Sequence, residues 1–174
     1  MIKTFVTIGG NGTRMKSISP KDKHLLYYKD KRIIEWITLL YPNAILLGNK
    51  KTRSRRDTLA EISTEHKCLI IDCDIIPYMN HPIEYHKDTI YVFESNKNKY
   101  GSVVIDSGIV KQASEINNIS KYKCSGAYYI ESMADMLDKM QDDNSIAFGM
   151  IGAAAILETT FVRIGDVEDY FEAL

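Results

Sequence analysis

Net charge, an even cysteine count and long apolar runs are all lacking in this sequence. Its 22 basic and 23 acidic side chains leave a formal net charge of −1, so no overall field attracts nucleic acid or an anionic membrane. Three cysteines, Cys68, Cys73 and Cys124, cannot all pair, and an odd count suits a reducing compartment. The longest apolar run, residues 146–157, is too short for a transmembrane helix, and the first residues lack a signal-peptide pattern. We therefore expect a cytoplasmic protein without nucleic-acid or membrane partners.

Two common phosphate-binding motifs are also absent, although the sequence has a glycine-rich segment. Residues 8–15 read Ile-Gly-Gly-Asn-Gly-Thr-Arg-Met, with Met15 where the dinucleotide fingerprint needs a third glycine, and no Gly-Lys-Ser/Thr of a P-loop occurs. Glycines let the chain turn tightly and direct successive backbone N–H groups at an anion. Arg14 adds a permanently charged fork of donors that suits the outer phosphates of a nucleotide or a departing pyrophosphate. The segment predicts a phosphate-binding loop; the alternative is a mere flexible connection.

Hydrophobic periodicity predicts alternating strands and helices. The predicted strands cover residues 2–8, 44–47, 68–74 and 89–94, with a hairpin at 100–111. The predicted helices cover residues 33–40, the segment after a capping box at Ser54, residues 133–140, and residues 146–157 as a closely packed buried helix or a dimer contact. We predict one domain over residues 1–174, an α/β three-layer sandwich with a mostly parallel sheet and an antiparallel hairpin insertion. The site is expected along the carboxyl ends of the first and third strands.

Two carboxylates, Asp72 and Asp74, stand where the third predicted strand runs out of apolar residues. Acidic groups at the end of a buried strand cost desolvation free energy unless a cation or hydrogen-bond donors compensate them. Oxygen ligands of this kind suit Mg²⁺, which is commonly shared with substrate phosphates. Residues two apart on a strand share a face, so both carboxylates could bind one ion; the alternative is a solvated strand end. Nearby, Arg53, Arg55 and Arg56 are interpreted as a solvated face.

The first 36 residues resemble the opening of the sugar-phosphate nucleotidyltransferases, also called nucleotide-sugar pyrophosphorylases. The resemblance is carried by Gly-Gly-Asn-Gly-Thr-Arg-Met at 9–15, Ser-Pro-Lys at 19–21, Leu-Leu at 25–26 and Lys-Arg-Ile-Ile-Glu-Trp at 31–36. Weaker matches to the family's central hairpin, its following strand and its closing segment lie at residues 100–111, 124–129 and 161–173. The resemblance implies the nucleotide-diphospho-sugar transferase fold, and transfer of a nucleotide from an NTP to a sugar 1-phosphate or similar phosphorylated molecule. Members with such segments are associated with surface-polysaccharide genes.

The resemblance also implies roles for individual residues that bind the triphosphate and metal. The triphosphate would be held by the loop residues Gly9, Gly10, Asn11, Gly12 and Thr13. Arg14 would stabilise the leaving pyrophosphate, and either Lys21 or Lys23, with Lys21 ranked slightly first, would lie near the α-phosphate. The metal, Mg²⁺, would be bound by Asp74 together with Asp166 or Asp72.

On the acceptor side, the resemblance points to four residues of the hairpin and the strand after it. Glu115 matches a glutamate near the sugar, and Gly126 would let a sugar approach the backbone. The matching hairpin start is Tyr100-Gly101. A phosphorylated small molecule is therefore the expected second substrate.

The sequence departs from the family pattern at Arg163, which stands where the family has its second metal-binding aspartate. A shifted alignment would let Asp166 supply that carboxylate. Two other functions stay open. One is a metal-dependent glycosyltransferase of the same fold, because residues 72–74 form the Asp-x-Asp motif that such enzymes use to bind a metal and the donor's diphosphate. The other is a non-catalytic nucleotide-binding or regulatory module, which Arg163 and the short chain favour.

Overall fold

The structure is a computed structural model that describes residues 2–8, 15, 17, 19, 22–48, 54–62, 67–78, 87–140 and 145–174. Its strands are β1 (Lys3–Thr7), β2 (Tyr27–Tyr28), β3 (Lys31–Arg32), β4 (Ile45–Leu47), β5 (Cys68–Asp72), β6 (Ile75–Ile76), β7 (Thr89–Glu94), β8 (Ser102–Asp106), β9 (Ile109–Ser114), β10 (Tyr122–Ile130), β11 (Ala154–Leu157) and β12 (Val162–Arg163). Its α-helices are α1 (Ile33–Leu40), α2 (Arg55–Leu59), α3 (Met133–Lys139), α4 (Ile146–Gly149) and α5 (Val167–Ala173). One turn of 3₁₀ helix covers Lys23–Leu25. In these described ranges, no helix has the length and apolar character needed to cross a membrane.

Eight strands form one mixed sheet in the order β4-β1-β5-β10-β7-β11-β9-β8. β1 pairs in parallel with β4 and β5, and β11 pairs in parallel with β7. β10 runs antiparallel between β5 and β7, and β8 with β9 forms an antiparallel hairpin next to β11. Six of these eight strands, all except β9 and β10, therefore run in one direction. The predicted α/β fold, with its largely parallel sheet and hairpin, is confirmed.

Two hydrophobic clusters lie on opposite faces of the sheet. Successive residues of β5 alternate between them, with Ile70 in one cluster and Ile71 in the other, as the two-residue period of a strand requires. Helix α1 packs Ile37 into the cluster that contains Ile71. Helices α2, α3 and α4 contribute Leu59, Met136 and Ile146 to the opposite cluster. Helices therefore cover both faces, which gives the three layers expected from the sequence.

Helix α2 begins at the capping box that the sequence predicts. The hydroxyl of Ser54 accepts from the backbone N of Asp57 at 3.0 Å, and the carboxylate of Asp57 accepts from the backbone N of Ser54 at 3.1 Å. These reciprocal bonds satisfy two of the N–H groups that a helix start leaves unpaired. They also fix the backbone position of Arg55, the first helical residue.

The prediction of one helix over residues 146–157 is wrong. Helix α4 ends at Gly149, the chain then turns through Gly152 at a φ of +92°, and residues from Ala154 onward form β11. A left-handed φ at Gly152 cannot continue a right-handed helix. The expected close packing is confirmed, because a Cβ on Gly149 would lie 2.2 Å from the sulfur of Met136.

All three cysteines are free thiols. Cys68 and Cys73 are buried in the two clusters. Burial raises the pKa of Cys68 to about 11 and the pKa of Cys124 to about 12. These thiols stay protonated at neutral pH and serve as small apolar residues.

Candidate functional site

Asp72 ends β5 beside the end of β1. Thr7 is its partner in the parallel register, and the hydroxyl of Thr7 donates to Oδ1 of Asp72 at 2.8 Å. The Asp72 side chain is only 12% exposed. In open α/β sheets ligands bind at the carboxyl ends of the parallel strands. The structure therefore places Asp72 at the sheet edge where the sequence predicts the site. The sequence analysis missed Thr7, although the end of the first strand marks this position.

A cation from α2 compensates this buried carboxylate. Nη2 of Arg55 donates to Oδ1 of Asp72 at 2.8 Å, while the arginine side chain remains 38% exposed. Burial raises the pKa of Asp72, and the charge of Arg55 with the hydroxyl of Thr7 opposes that rise. The negative charge of Asp72 in turn raises the pKa of Arg55. Arg55 is exposed to solvent, as the sequence predicts, and its side chain also joins α2 to the end of β5.

Asp74 lies in the turn after β5 and has a different cation. Nζ of Lys23 lies 2.9 Å from Oδ2 of Asp74 and also donates to the backbone O of Gly165 at 2.6 Å. The Lys23 and Asp74 side chains are mostly buried, with exposed fractions of 12% and 24%. The backbone N of Ile164 donates to the backbone O of Asp74 at 2.7 Å. One ammonium group therefore connects three segments that are far apart in sequence. We call Asp72, Asp74, Arg55 and Lys23 the acid centre.

Gly126 packs directly against the acid centre. Its φ is +92°, and a Cβ added there would lie 3.2 Å from both Cβ and Oδ2 of Asp72. The pairing of β10 with β7 is irregular between Cys124 and Tyr128, which allows this conformation. A side chain at position 126 would therefore displace Asp72. The contact between Gly126 and a sugar stays a prediction.

The β8–β9 hairpin brings Gly101 and Glu115 together. A Cβ on Gly101 would lie 3.1 Å from Oε1 of Glu115, so the missing side chain makes room for that carboxylate. Glu115 is close enough to Arg55 to raise its pKa. The neighbouring Tyr100 donates from its hydroxyl to Oδ1 of Asp169 at 2.6 Å, and burial followed by this bond raises the pKa of Tyr100. The space at Gly101 therefore sets the position of the Glu115 carboxylate, whereas the Tyr100 hydroxyl contacts α5. The roles of both residues in binding a sugar stay predictions.

Asp166 belongs to a second group of charges at the start of α5. Its Oδ1 caps the helix by accepting from the backbone N of Asp169 at 3.0 Å. Its Oδ2 lies 2.8 Å from Nζ of Lys99, which also contacts Asp169 at 2.7 Å and Glu168 at 3.0 Å. We call Lys99 and these three carboxylates the α5 cluster. The predicted role of Asp166 as a metal ligand stays a prediction, and both its oxygens contact this cluster.

The carboxylates expected to bind Mg²⁺ are each paired with a different cation. Asp72 contacts Arg55, Asp74 contacts Lys23, and Asp166 contacts Lys99. Across the part of the chain that the structure describes, no three histidine, cysteine or acidic side chains converge on a common point for a metal. Protein sites for Mg²⁺ often supply only one or two carboxylates, and substrate phosphates complete the shell. The described residues therefore form no complete protein cage for a metal, and the roles of Asp72, Asp74 and Asp166 in binding Mg²⁺ stay predictions.

Arg163 lies beside the acid centre, and its side chain lines one side of a cavity. Its guanidinium carbon is 3.5 Å from the centre of the Phe93 ring, and the group pairs with Glu158. Burial lowers the pKa of Arg163 to about 10, although Tyr100 and Asp169 oppose this effect. The cavity has a volume of about 360 Å³, which is within the range of small-ligand sites. At the position where the resemblance implies an aspartate, the chain thus presents a fixed cation.

The predicted phosphate-binding loop lies outside the described residues. This applies to Gly9, Gly10, Asn11, Gly12, Thr13 and Arg14, and also to Lys21. Their roles stay predictions. Met15, which follows the loop, is fully buried in the cluster that contains Val6. The residue that breaks the dinucleotide fingerprint therefore serves the core.

No protein-family model and no curated protein sequence matches the chain, but solved structures do match its fold. A nucleoside-diphosphate-sugar pyrophosphorylase from Vibrio cholerae is 14% identical with a TM-score of 0.72, covering 100% of this chain and 99% of its own. The CTP:phosphocholine cytidylyltransferase of Streptococcus pneumoniae is 14% identical with a TM-score of 0.74, covering 98% and 96%. A UDP-glucose pyrophosphorylase in complex with UDP-glucose is 17% identical with a TM-score of 0.73, covering 99% and 97%. The chain therefore has the nucleotide-diphospho-sugar transferase fold that these nucleotidyltransferases share.

Proposed function

We propose that this protein is a nucleotidyltransferase that joins an NTP to a sugar 1-phosphate or a similar phosphorylated small molecule. A phosphate oxygen of the acceptor attacks the α-phosphorus, the bond from that phosphorus to the bridging oxygen of the β-phosphate breaks, and pyrophosphate leaves. The observation that carries the proposal is the acid centre, with Asp74 and Lys23 in contact at 2.9 Å at the ligand-binding edge of this fold. The nucleotidyltransferases named above, which share the fold, support it.

Positioning and charge neutralisation supply most of the rate in such a transfer. Residues 9–13 hold the triphosphate and Arg14 stabilises the pyrophosphate as it leaves. Lys23 donates to the phosphates from its place beside Asp74. Asp74 would hold Mg²⁺, with Asp166 or Asp72 as further candidates, and the bound ion would supply Lewis-acid neutralisation of phosphate charge.

On the acceptor side, Gly101, Glu115 and Gly126 form the wall that a sugar approaches, and Tyr100 orders this wall through its bond to Asp169 at 2.6 Å. Glu115 supplies an acceptor for hydroxyl groups. The activated product serves surface-polysaccharide or other glycan precursor synthesis in the cytoplasm. The homodimer expected from the sequence stays a prediction.

The first test compares melting temperatures in the presence of Mg²⁺ with ATP, CTP, GTP, UTP, dTTP and a set of NDP-sugars. A ligand that binds only the folded state at a hundred times its dissociation constant adds about 2.7 kcal/mol to the free energy of unfolding. We expect one triphosphate to stabilise the protein and Arg14→Ala to abolish that effect. Stabilisation by NDP-sugars alone would replace the proposal with the glycosyltransferase that the Asp-x-Asp motif predicts. No response to any ligand would favour a non-catalytic module.

The second test measures pyrophosphate release from the stabilising triphosphate with a panel of phosphorylated acceptors. Asp74→Asn should lower kcat by about a hundredfold or more, because removal of one group that neutralises transition-state charge has an effect of this order. The matched control is Asp138→Asn, since Asp138 is an exposed carboxylate on α3. Equal rates for both variants would contradict the role of Asp74.

A further inference from the structure

Lys23 lies where a cation bound to Asp74 would lie. Its ammonium nitrogen is 2.9 Å from Oδ2 of Asp74 and 2.6 Å from the backbone O of Gly165. A carboxylate oxygen and a backbone carbonyl oxygen are hard ligands that Mg²⁺ also accepts. We infer that Lys23 is an exchangeable cation: its ammonium group holds Asp74 until the triphosphate arrives with its metal, and then moves to the phosphates. This inference rests on the proposed function.

The local structure lets the ammonium group move without moving the backbone. Lys23 begins a 3₁₀ turn in which the N of Leu26 donates to the O of Lys23 at 3.0 Å. The N of Ile33 in turn donates to the O of Leu26 at 2.9 Å, which ties the turn to the start of α1. The backbone of Lys23 is therefore fixed, while four methylene groups separate it from the charge. A change of rotamer in this flexible stem is enough to move the ammonium group away from Asp74.

The charges explain why metal and nucleotide should arrive together. Mg²⁺ loses its water shell reluctantly, and the mostly buried ammonium group on Asp74 repels a second cation at the same oxygen. A triphosphate changes this balance, because its negative charges attract the ammonium group and also bring ligands for the metal. Binding of the metal and binding of the nucleotide are then positively coupled. The direct consequence is that removal of the Lys23 charge strengthens binding of the metal alone.

The experiment measures binding of Mn²⁺, as a spectroscopic substitute for Mg²⁺, to the nucleotide-free full chain by electron paramagnetic resonance. We expect weak binding by the wild-type protein and about tenfold tighter binding by Lys23→Met. The free energy of a hydrogen bond between charged groups corresponds to a change in affinity of about this size. Lys23→Arg keeps the charge and should behave like the wild type. Lys111→Met is the matched control, since Lys111 is an exposed lysine on β9. Asp74→Asn placed on Lys23→Met should reverse the gain.

Equal Mn²⁺ affinity in wild type and Lys23→Met, or the same gain in Lys23→Arg, would overturn the inference. If Lys23→Met does not fold, as judged by its melting curve, Lys23→Gln makes the same comparison with a side chain that is neutral and polar. The stabilising triphosphate should then remove most of the difference between wild type and variant, because its phosphates hold the metal. If the wild type binds no triphosphate, the proposed function fails, whereas the Mn²⁺ comparison still decides whether Lys23 excludes a metal from Asp74.

Discussion

The acid centre and the α5 cluster are built from the same residue types but balance their charges differently. In the acid centre, Asp72 and Asp74 each have their own cation. In the α5 cluster, one ammonium group, that of Lys99, contacts three carboxylates. Burial lowers the pKa of Lys99, but the hydrogen bonds that its ammonium group donates to these carboxylates outweigh burial and raise the pKa above its usual value. A cation shared by three acids is held firmly and fixes a helix, whereas a cation paired with one acid can be exchanged for a ligand.

Lys99→Met should have the largest effect on stability. The change leaves Asp169, which is only 5% exposed, without its cation, and breaking a buried ion pair costs about 3 kcal/mol. Urea unfolding measures this loss. Lys121→Met is the control, because the Lys121–Glu94 pair is exposed to solvent and its loss should change stability little. Lys99 itself is not among the predicted metal or nucleotide ligands, so the folded variant should still respond to the triphosphate. Loss of that response in a folded Lys99→Met protein would show that the two regions do not differ as described.

Arg55→Met should have a smaller effect on stability but a larger effect on function. The guanidinium group is 38% exposed. Loss of its bond to Asp72 should therefore lower the free energy of unfolding by about 2 kcal/mol, which is less than the loss for a fully buried pair. The uncompensated Asp72 carboxylate should also weaken stabilisation by the triphosphate in the melting assay. Arg56→Met is the matched control, since the side-chain contact of Arg56 to the described part of the chain is a long one, 3.4 Å to the backbone O of Leu137. Identical melting curves for the two variants would contradict the assignment of Arg55 to the acid centre.

Gly165→Ala tests the junction between the two regions. The backbone O of Gly165 accepts from Lys23, and a Cβ at this position would lie 3.0 Å from Oδ2 of Asp169. Such a tight contact should cost about 1 kcal/mol and shift the carbonyl that Lys23 contacts. We therefore expect a modest loss in urea unfolding together with tighter binding of Mn²⁺ alone. A loss of stability without any change in Mn²⁺ binding would mean that the carbonyl does not help to hold Lys23.

His24 should give the smallest effect, as a dependence of stability on pH. Burial lowers the pKa of His24 below 6.5, although Asp22 opposes this shift, and its buried Nδ1 has no hydrogen bond to the residues that the structure describes. Below pH 6.5 the unfolded chain binds a proton at His24 that the folded protein still excludes. The contribution of His24 is therefore present above this pH and is lost as the pH falls through the lower folded-state value. Urea unfolding should show a smaller loss on acidification for His24→Asn than for the wild type, and equal losses would contradict the shift.

Much of the fold could be predicted because local sequence patterns indicate its strands and helices. The continuous apolar run of β5, the helical spacing of α1 and the capping box of α2 all depend on neighbouring residues, and the structure confirms each of them. The prediction of a helix over residues 146–157 was wrong because alanine and glycine occur in buried helices and in buried strands alike. Only the parallel pairing of β11 with β7 decides between them.

The candidate site could be predicted in part. Asp72 and Asp74 stand out as charges at the end of an apolar strand, and Glu115 is implied by the resemblance of the hairpin to that of the family. Arg55 could not be assigned, because a helical arginine near a surface gives the same local pattern whether it meets solvent or a buried carboxylate 17 residues away. The contact of Gly165 with Lys23 could not be predicted either, because it is made by a backbone carbonyl, which every residue type has.

The sequence by itself determined the alternation of strands and helices, the two carboxylates at the end of β5 and the glycine-rich segment after β1, because these features rest on local spacing and residue chemistry. The tertiary structure alone decided which cation compensates which carboxylate. Arg55, Lys23 and Lys99 lie 17, 51 and 67 residues from the acids Asp72, Asp74 and Asp166 that they contact. Such pairs form only when the parallel register of β1 and β5 and the docking of α2 and α5 bring distant segments to one edge of the sheet, and the cost of burying charge then selects the partners.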